Sequence, residues 1–294
     1  MRARLVSSIA LIVLGASVAR AQISERVRRE LHVADSSQVQ EVELVDGSRL
    51  IGRFIAVGER STTFRGSAGD ILLDPKLIAR VHTYSRTAIH GNELWFADPN
   101  SSRLFLAPTG RTLAAGDGYF ADHELFFPQV AYGVTDRVMV SGGISLFPCS
   151  GACAEIGYFA PKVALVRDST FNLAAGALLA KAITSSGDGG NAGTVYLVGT
   201  SGHPDASVTY GVAAGFVDGH WYDRPFIMLG GNLRVSRRIA LITENYFVPG
   251  AKHQAVSGGV RFLGEKISVD LALANVIPDG FFPGLPLVGF VVKF

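Results

Sequence analysis

The chain has 294 residues, enough for one large domain or two, and a formal net charge of only +2. Its basic residues are scattered singly, and this pattern argues against nucleic-acid binding. Mean hydropathy is +0.29, yet after Ser17 no run reaches the roughly 20 apolar residues that a membrane helix needs. These properties leave two classes of protein: one with a large buried core, or a β-barrel whose apolar face meets lipid.

The N-terminus has the features of an export signal. Two arginines within the first four residues precede an apolar stretch at 5–16, and Ala19 and Ala21 offer the small side chains that signal peptidase reads. An uncleaved membrane anchor is the weaker alternative, because the apolar stretch is short. We therefore predict a signal peptide over residues 1–21 and export of the mature chain.

The two cysteines, Cys149 and Cys153, lie close together in the sequence. In an exported protein they meet an oxidising environment, so they form either a local disulfide or two free thiols. Two thiols without a nearby histidine are too few ligands for a metal ion. We predict no metal and no cofactor.

Residues 22–102 divide into three parts. Residues 22–38 are charged and mildly amphipathic, which predicts a linker or a short helix. Over residues 39–84, five short strands alternate with tight turns, among them the hairpin signal Asp46-Gly47. The pattern "VELVDGSRLIGRFIAV … ILLDPKLIARV" resembles the SH3-like or Sm-like small barrels of bacterial envelope proteins. The resemblance implies a periplasmic plug, spacer or docking module with a periplasmic protein as its partner, joined to the predicted barrel by a connector over 85–102.

Twelve strands are predicted in residues 103–294, and most of them alternate apolar with small or polar side chains. They span 103–107, 122–134, 137–147, 156–167, 171–183, 193–200, 207–217, 225–235, 239–248, 254–263, 267–276 and 287–294. Short connections alternate with longer ones rich in Gly, Pro and Asp. This asymmetry is typical of outer-membrane barrels, whose periplasmic turns are short and whose outer loops are longer.

The two-residue period also assigns the faces of each strand. Val138 and Val140, for example, are predicted to face lipid, with Met139 and Ser141 inside the barrel. A soluble β-sandwich would alternate as well, with its apolar face inward, so alternation alone does not decide between the two. Strand length, turn asymmetry and the export signal together favour the barrel.

The end of the chain resembles a known class of protein. Phe290, Val292 and the terminal Phe294 share one face of the final strand. Bacterial outer-membrane β-barrels are similar, with a final strand of about ten residues that closes on a terminal aromatic. The resemblance implies an all-β fold, a twelve-stranded antiparallel transmembrane β-barrel in the outer membrane. It also makes these three residues a recognition signal for the barrel-assembly machinery.

Six charged residues are predicted to point into the lumen, where the other side chains are mostly small. They are Lys162, Arg234, Glu244, Arg261, Asp270 and Lys293. One interpretation is a structural ion-pair network, because unpaired charges there would be costly. The other is a basic constriction that selects small anions, since rings of charge set selectivity in pores.

Catalysis finds little support in the sequence. His253 and Ser257 share a face but lie too far apart along the strand for a direct hydrogen bond, and His123 has no serine clearly opposite. No nucleophile elbow, zincin motif or phosphate loop occurs. We therefore expect a protein that is not an enzyme, with an outer-membrane lipid hydrolase as the less favoured alternative.

The favoured function is porin-like passage of small solutes through a narrow lumen. The alternative is a structural or adhesive barrel with an occluded lumen and an N-terminal docking module. A loop or an N-terminal segment folded into the pore would favour this second function. Membrane lipid and the assembly machinery are the expected partners in either case.

Overall fold

The computed structural model of the chain describes residues 30–58, 60–90, 93–146, 155–183 and 189–294. The predicted signal peptide at 1–21 and the cysteines Cys149 and Cys153 lie outside these ranges. The chain divides into two compact units, residues 1–95 and 96–294, and each is described by itself. No helix within the described ranges has the length and hydropathy required to cross a membrane.

The described part of the first unit is built on a five-stranded antiparallel sheet. Its strands are β1 (Gln38–Leu44), β2 (Arg49–Val57), β3 (Thr62–Gly66), β4 (Gly69–Leu73) and β5 (Ile78–Ser85), in the order β4-β3-β2-β1-β5. A 3-10 turn, Pro75–Leu77, precedes β5, and a second, Arg86–Ala88, follows it. Two short strands, β6 (Ile89–His90) and β7 (Glu93–Leu94), pair with each other.

One apolar cluster forms the core of this sheet. Val42, Phe54 and Phe64 are fully buried in it, and the two phenylalanine rings meet edge to face with centroids 5.1 Å apart. A buried polar residue, Gln40, accepts a hydrogen bond from the Phe54 backbone N–H at 2.9 Å. The SH3-like or Sm-like nature of this sheet and its periplasmic location remain predictions.

Among the described residues of the second unit, twelve strands form a closed antiparallel barrel, as predicted. They are β8 (Gly118–His123), β9 (Phe127–Gly133), β10 (Val138–Ile144), β11 (Glu155–Arg167), β12 (Phe171–Ile183), β13 (Asn191–His203), β14 (Ala206–Val217), β16 (Phe226–Ser236), β17 (Ile239–Phe247), β18 (Gln254–Leu263), β19 (Ile267–Ile277) and β20 (Leu285–Lys293). Successive strands pair with each other, and β20 pairs with β8 to close the barrel. The two-residue strand β15 (His220–Trp221) pairs with the end of β14.

The predicted beginning of the barrel is wrong in two places. Residues 103–107 are not a strand of the wall, and the predicted strand 122–134 is in fact β8 and β9, joined by a tight turn. That turn holds Glu124 and Leu125 at φ values of 55° and 63°, a left-handed conformation that favours glycine. Because neither residue is a usual turn residue, the sequence carries no signal for the turn. The predicted number of twelve strands is still correct, because one predicted strand is absent and another is two strands.

The outward face of the barrel is an exposed band of large apolar side chains. Members from around the wall are Val130, Val163, Leu179, Val195, Tyr210, Leu229, Leu241, Phe262, Leu271 and Val292. Side chains at neighbouring register positions extend the band from strand to strand, as Tyr210 and Leu229 do on β14 and β16. A continuous apolar surface of this extent suits lipid contact rather than water.

The two ends of the barrel differ in their connections. At one end, here called the short-turn end, strands are joined by residues 134–137, 168–170, 204–205, 237–238 and 264–266. The chain terminus also lies there, with the Phe294 N–H donating to the Gly118 carbonyl at 3.0 Å. At the opposite, long-loop end the connections are 124–126, 145–154, 184–190, 218–225, 248–253 and 278–284.

Candidate functional site

Residues 96–117, which precede the first barrel strand, fold into the lumen; we call them the lumen segment. Asn100, Leu104 and Ala107 in this segment are 0–1% exposed to solvent. Leu104 packs with Ile242 of β17, whereas Ala107 packs with Val198 of β13, so the segment contacts well-separated strands of the wall. The connection at 109–121, between the first two predicted strands, was expected to be one of the longer outer loops. That expectation is wrong, because the N–H groups of Gly110 and Ala115 bind Thr200 and Asp136 toward the short-turn end.

The middle of the lumen segment is a tight hairpin. The Thr109 N–H donates to the Ser102 carbonyl at 3.0 Å, and the Leu104 N–H donates to the Ala107 carbonyl at 2.9 Å. Ahead of the hairpin, Asp98 accepts a hydrogen bond from the Asn100 N–H at 2.8 Å, which closes an Asx turn. The hairpin presents residues 105–107 as its tip, with their N–H groups pointing away from the hairpin.

Glu244 on β17 binds this tip. One of its carboxylate oxygens, Oε2, accepts hydrogen bonds from the N–H groups of Phe105, Leu106 and Ala107 at 2.9, 3.0 and 3.0 Å. The other, Oε1, accepts from the Tyr246 hydroxyl at 2.8 Å. The buried charge is thus surrounded by donors, which is the condition under which a buried carboxylate is tolerated.

Arg261 on β18 binds the base of the same hairpin. Its guanidinium forms a bidentate ion pair with Asp270 of β19, at 2.6 and 2.9 Å. Its other N–H groups donate to Asp98 Oδ2 at 2.8 Å and to the carbonyls of Asn100 and Leu104 at 3.2 and 2.5 Å. The side chain is 1% exposed, and its five donors are all used.

Lys162 and Arg234 hold the segment from other sides. The Lys162 ammonium on β11 donates to the carbonyls of Ser102 and Thr109 at 2.8 and 3.2 Å. Arg234 on β16 donates to the Phe96 carbonyl at 2.6 Å and pairs with Asp205 at 3.0 Å. Because β11 and β16 lie at different places around the barrel, the wall contacts the segment on more than one side.

The segment also carries its own polar anchors. The Gly110 N–H donates to Thr200 Oγ1 at 2.9 Å, and Arg111 donates to Ser207 Oγ at 3.2 Å. A Cβ atom at Gly110 would lie 2.8 Å from the Asn172 carbonyl carbon, so the backbone approaches the wall here as only glycine permits. The Ala115 backbone N–H donates to Asp136 Oδ1, in the β9–β10 connection, at 3.1 Å.

The six charged residues predicted to point inward do not form one network of ion pairs. Arg261 and Asp270 face each other as expected, whereas Lys293 instead contacts Asp117 at 2.9 Å near the short-turn end and is partly exposed. Asp98, Asn100 and Arg103, which complete the site, were not predicted. The Asp98-Pro99-Asn100 turn signal ahead of residue 103 was the available hint that the chain folds back there. Whether any of these charges selects ions remains a prediction.

Above the lumen segment, toward the long-loop end, lies a cavity of about 540 Å³, here called the cup. Its floor is the hairpin, and its wall is largely aromatic and aliphatic. Lining residues are Leu106, Tyr119, Phe127, Met139, Tyr158, Leu178, Tyr196, Phe226, Met228 and Tyr246. Gly143 makes room for one of these rings, because a Cβ atom there would lie 2.7 Å from the Tyr158 hydroxyl.

The histidines considered as catalytic bases do not contact a serine within the described ranges. His123 contacts Arg103 and Gln129 at the cup wall, and His253 contacts Asp279 at 2.7 Å in the loops of the long-loop end. Ser257 Oγ donates to the Glu244 carbonyl at 2.6 Å. That the chain is not an enzyme remains an expectation.

The three residues predicted as an assembly signal lie at the closing seam of the barrel. Phe290 packs against Phe120 of β8 with ring centroids 6.0 Å apart, and Val292 and Phe294 are exposed outward. A Cβ atom at Gly118 would lie 2.5 Å from the nearest atom of the Phe294 ring, so this ring lies directly over the glycine. Recognition by the assembly machinery remains a prediction.

No family model matches the chain, and no curated protein matches it. Among solved structures, a KdgM porin in complex with disordered oligogalacturonate is similar at 10% identity and a TM-score of 0.40, covering 60% of this chain and 95% of that one. Omp33 of Acinetobacter baumannii is similar at 11% identity and a TM-score of 0.36, with coverage of 60% and 95%. OccK10 of Pseudomonas aeruginosa is similar at 10% identity and a TM-score of 0.32, with coverage of 90% and 98%. At these values no residue role is transferred from them.

Proposed function

We propose that the chain is an outer-membrane β-barrel whose lumen is closed by its own residues 96–117, so that it does not act as an open diffusion pore. The exposed apolar band and the predicted export signal support the location. An occluded lumen is the alternative that the sequence left open beside porin-like passage.

One observation carries the proposal: buried charged side chains of the wall form hydrogen bonds with the lumen segment. Glu244 accepts three consecutive backbone N–H groups at the hairpin tip, and Arg261 binds Asp98, Asn100 and Leu104 below it. Removing the segment would replace these protein partners by water, and a hydrogen bond between a charged group and a protein partner is worth about 1.5–3 kcal/mol net of that exchange. The closed arrangement is therefore favoured over a water-filled lumen.

Porin-like passage of small solutes is the competing function. It requires the lumen segment to leave its place, after which the inward charges would line the path as a selectivity ring. The small residues of the wall that face Leu104, Gly230 and Ala272, would then be exposed to water.

Liposome swelling separates these two functions. Full-length protein reconstituted into liposomes is challenged with sugars of graded size, next to an empty-liposome control. The closed-barrel proposal predicts swelling no faster than in the control for every sugar. Swelling that slows as sugar size increases would support the porin-like function instead.

A further inference from the structure

Two buried cations beside the cup have no anionic partner among the described residues. Arg103 is 7% exposed and Lys162 is 4% exposed, and both line the cavity. Arg103 donates to Asn100 Oδ1 at 2.8 Å and to Gln129 Oε1 at 2.6 Å, and it contacts His123 and the Tyr119 ring. Lys162 donates to two backbone carbonyls. Neither side chain forms an ion pair with a carboxylate in the part of the chain that the structure describes.

The other strongly buried arginines of the barrel differ in this respect. Arg261 is paired with Asp270 and Asp98, and Arg234 is paired with Asp205. Buried charges are generally paired, because an unpaired charge keeps most of its desolvation cost. Glu244, the buried carboxylate beside the cup, is bound by the hairpin tip and the Tyr246 hydroxyl and not by either cation. Arg103 and Lys162 therefore both line the cavity without a carboxylate at ion-pair distance among the described residues.

The remainder of the cup is suited to a hydrocarbon chain. From the two cations its wall runs past Met139, Leu178 and Met228 toward the long-loop end, and its volume of about 540 Å³ falls in the range of small-molecule sites, about 300–1,000 Å³. One carboxylate, Glu124, also lines the cup. It accepts a hydrogen bond from the Val288 N–H at 3.0 Å at the barrel rim, so it does not neutralise the two cations at the floor.

We propose that the cup binds a single-chain amphiphile with one carboxylate head, of the long-chain fatty-acid class. The head lies between Arg103 and Lys162, and the tail lies along the apolar wall toward the long-loop end. A guanidinium and an ammonium give a carboxylate charge-assisted hydrogen bonds in a water-poor site. The proposal rests on the proposed function in one respect, since the lumen segment supplies the floor of the cup and Arg103 itself.

Displacement of a fluorescent fatty-acid probe from full-length protein in lipid nanodiscs tests this site. The competitors are palmitate, its alcohol hexadecanol, and a lysophosphatidylcholine with the same acyl chain. We expect palmitate to compete at least about tenfold more strongly than hexadecanol, because only palmitate carries the charge that the cations bind. Equal competition by palmitate and hexadecanol, or stronger competition by the lysolipid, would overturn the assignment.

Variants locate the binding. Lys162→Met should weaken palmitate binding about tenfold or more, and Leu178→Trp, which narrows the apolar part of the cup, should weaken binding of palmitate and of hexadecanol alike. Lys181→Met, an exposed lysine of the same region on β12, serves as the matched control and should bind like the wild type. Heat-dependent mobility on SDS gels verifies that each variant is folded.

Failure of this proposal is separable from failure of the closed lumen. A wild-type barrel that does not swell and binds no palmitate contradicts the cup alone. A barrel that passes sugars contradicts the closed lumen, whatever its binding. Palmitate binding that survives unchanged in both Lys162→Met and Leu178→Trp would place the ligand on the outer surface and overturn the cup.

Discussion

The guanidinium of Arg261 donates a 2.5 Å hydrogen bond to the carbonyl of Leu104, a residue 157 positions earlier in the chain. The first residue belongs to the barrel wall, and the second lies in the segment that fills the lumen. The same guanidinium is held in place by Asp270 on the next strand. The wall and the segment are therefore joined through one fully buried cation, whose removal should affect both.

Arg261→Met should loosen the lumen segment and destabilise the barrel. It leaves Asp270 buried without its partner, a change that typically costs about 3–5 kcal/mol. We expect a lower temperature for heat-induced unfolding on SDS gels and new conductance in planar bilayers. The double variant Arg261→Met with Asp270→Leu should regain part of the lost stability, because it removes the orphaned Asp270 charge while Asp98 stays without its partner, and it should remain conducting. Stability and conductance equal to the wild type in the single variant would contradict the role given to Arg261.

Glu244→Leu should free the tip of the hairpin. The N–H groups of residues 105–107 lose their shared acceptor, and each buried unsatisfied group costs about 1–3 kcal/mol. Hydrogen–deuterium exchange of the peptide containing these residues should become much faster than in the wild type. Glu124→Leu is the matched control, since its carboxylate contacts Val288 rather than the tip, and it should leave exchange at the tip slow.

Gly110→Ala should push the lumen segment away from the wall. Its new Cβ would meet the Asn172 carbonyl carbon at 2.8 Å and the Thr200 nitrogen at 3.0 Å, both of them backbone atoms of the barrel. We expect faster protease cleavage within residues 96–117. Gly258→Ala is the comparison variant, because a Cβ there would find its nearest neighbour at 3.9 Å, and cleavage should match the wild type. Equal cleavage in the two variants would argue against close packing at Gly110.

The loops at the long-loop end have a pH-dependent contact. Hydrogen bonds from Lys252 and His253 lower the pKa of Asp279 below its ordinary value of 3.8. Because the folded-state pKa is depressed, the stabilisation is present above pH 3.8 and is lost as the pH falls through the folded value. Spin-label distances between residues 251 and 281 should stay constant from pH 7 to about pH 4 and widen only in stronger acid. Asp279→Asn should show the wider distance already at pH 7.

Much of the barrel can be predicted from the sequence, because its wall separates two different environments. Where one side of a strand meets lipid and the other meets small or polar side chains, the period of two is strong, as from Val138 to Ser141. The same period places Arg261 and Asp270 on the inner face of neighbouring strands. The final strand and its outward Phe290 follow from the same rule.

The lumen segment could not be predicted in this way. Residues 103–107 are mostly apolar and short, so they read as a strand, and no local pattern tells a wall strand from a hairpin buried inside the wall. The residues that hold them, among them Glu244 and Arg261, lie far along the chain. Reading 122–134 as one strand failed for a different reason, since Glu124 and Leu125 adopt left-handed conformations without a turn-forming residue.

Single-channel recording in planar bilayers tests the closed lumen most directly. The wild type is compared with a variant in which residues 100–109 are replaced by a glycine–serine linker of the same length, which removes the hairpin and keeps the chain connected. We predict background conductance for the wild type and stable open channels for the variant. Open channels of equal conductance in both proteins would contradict the proposal that residues 96–117 close the barrel.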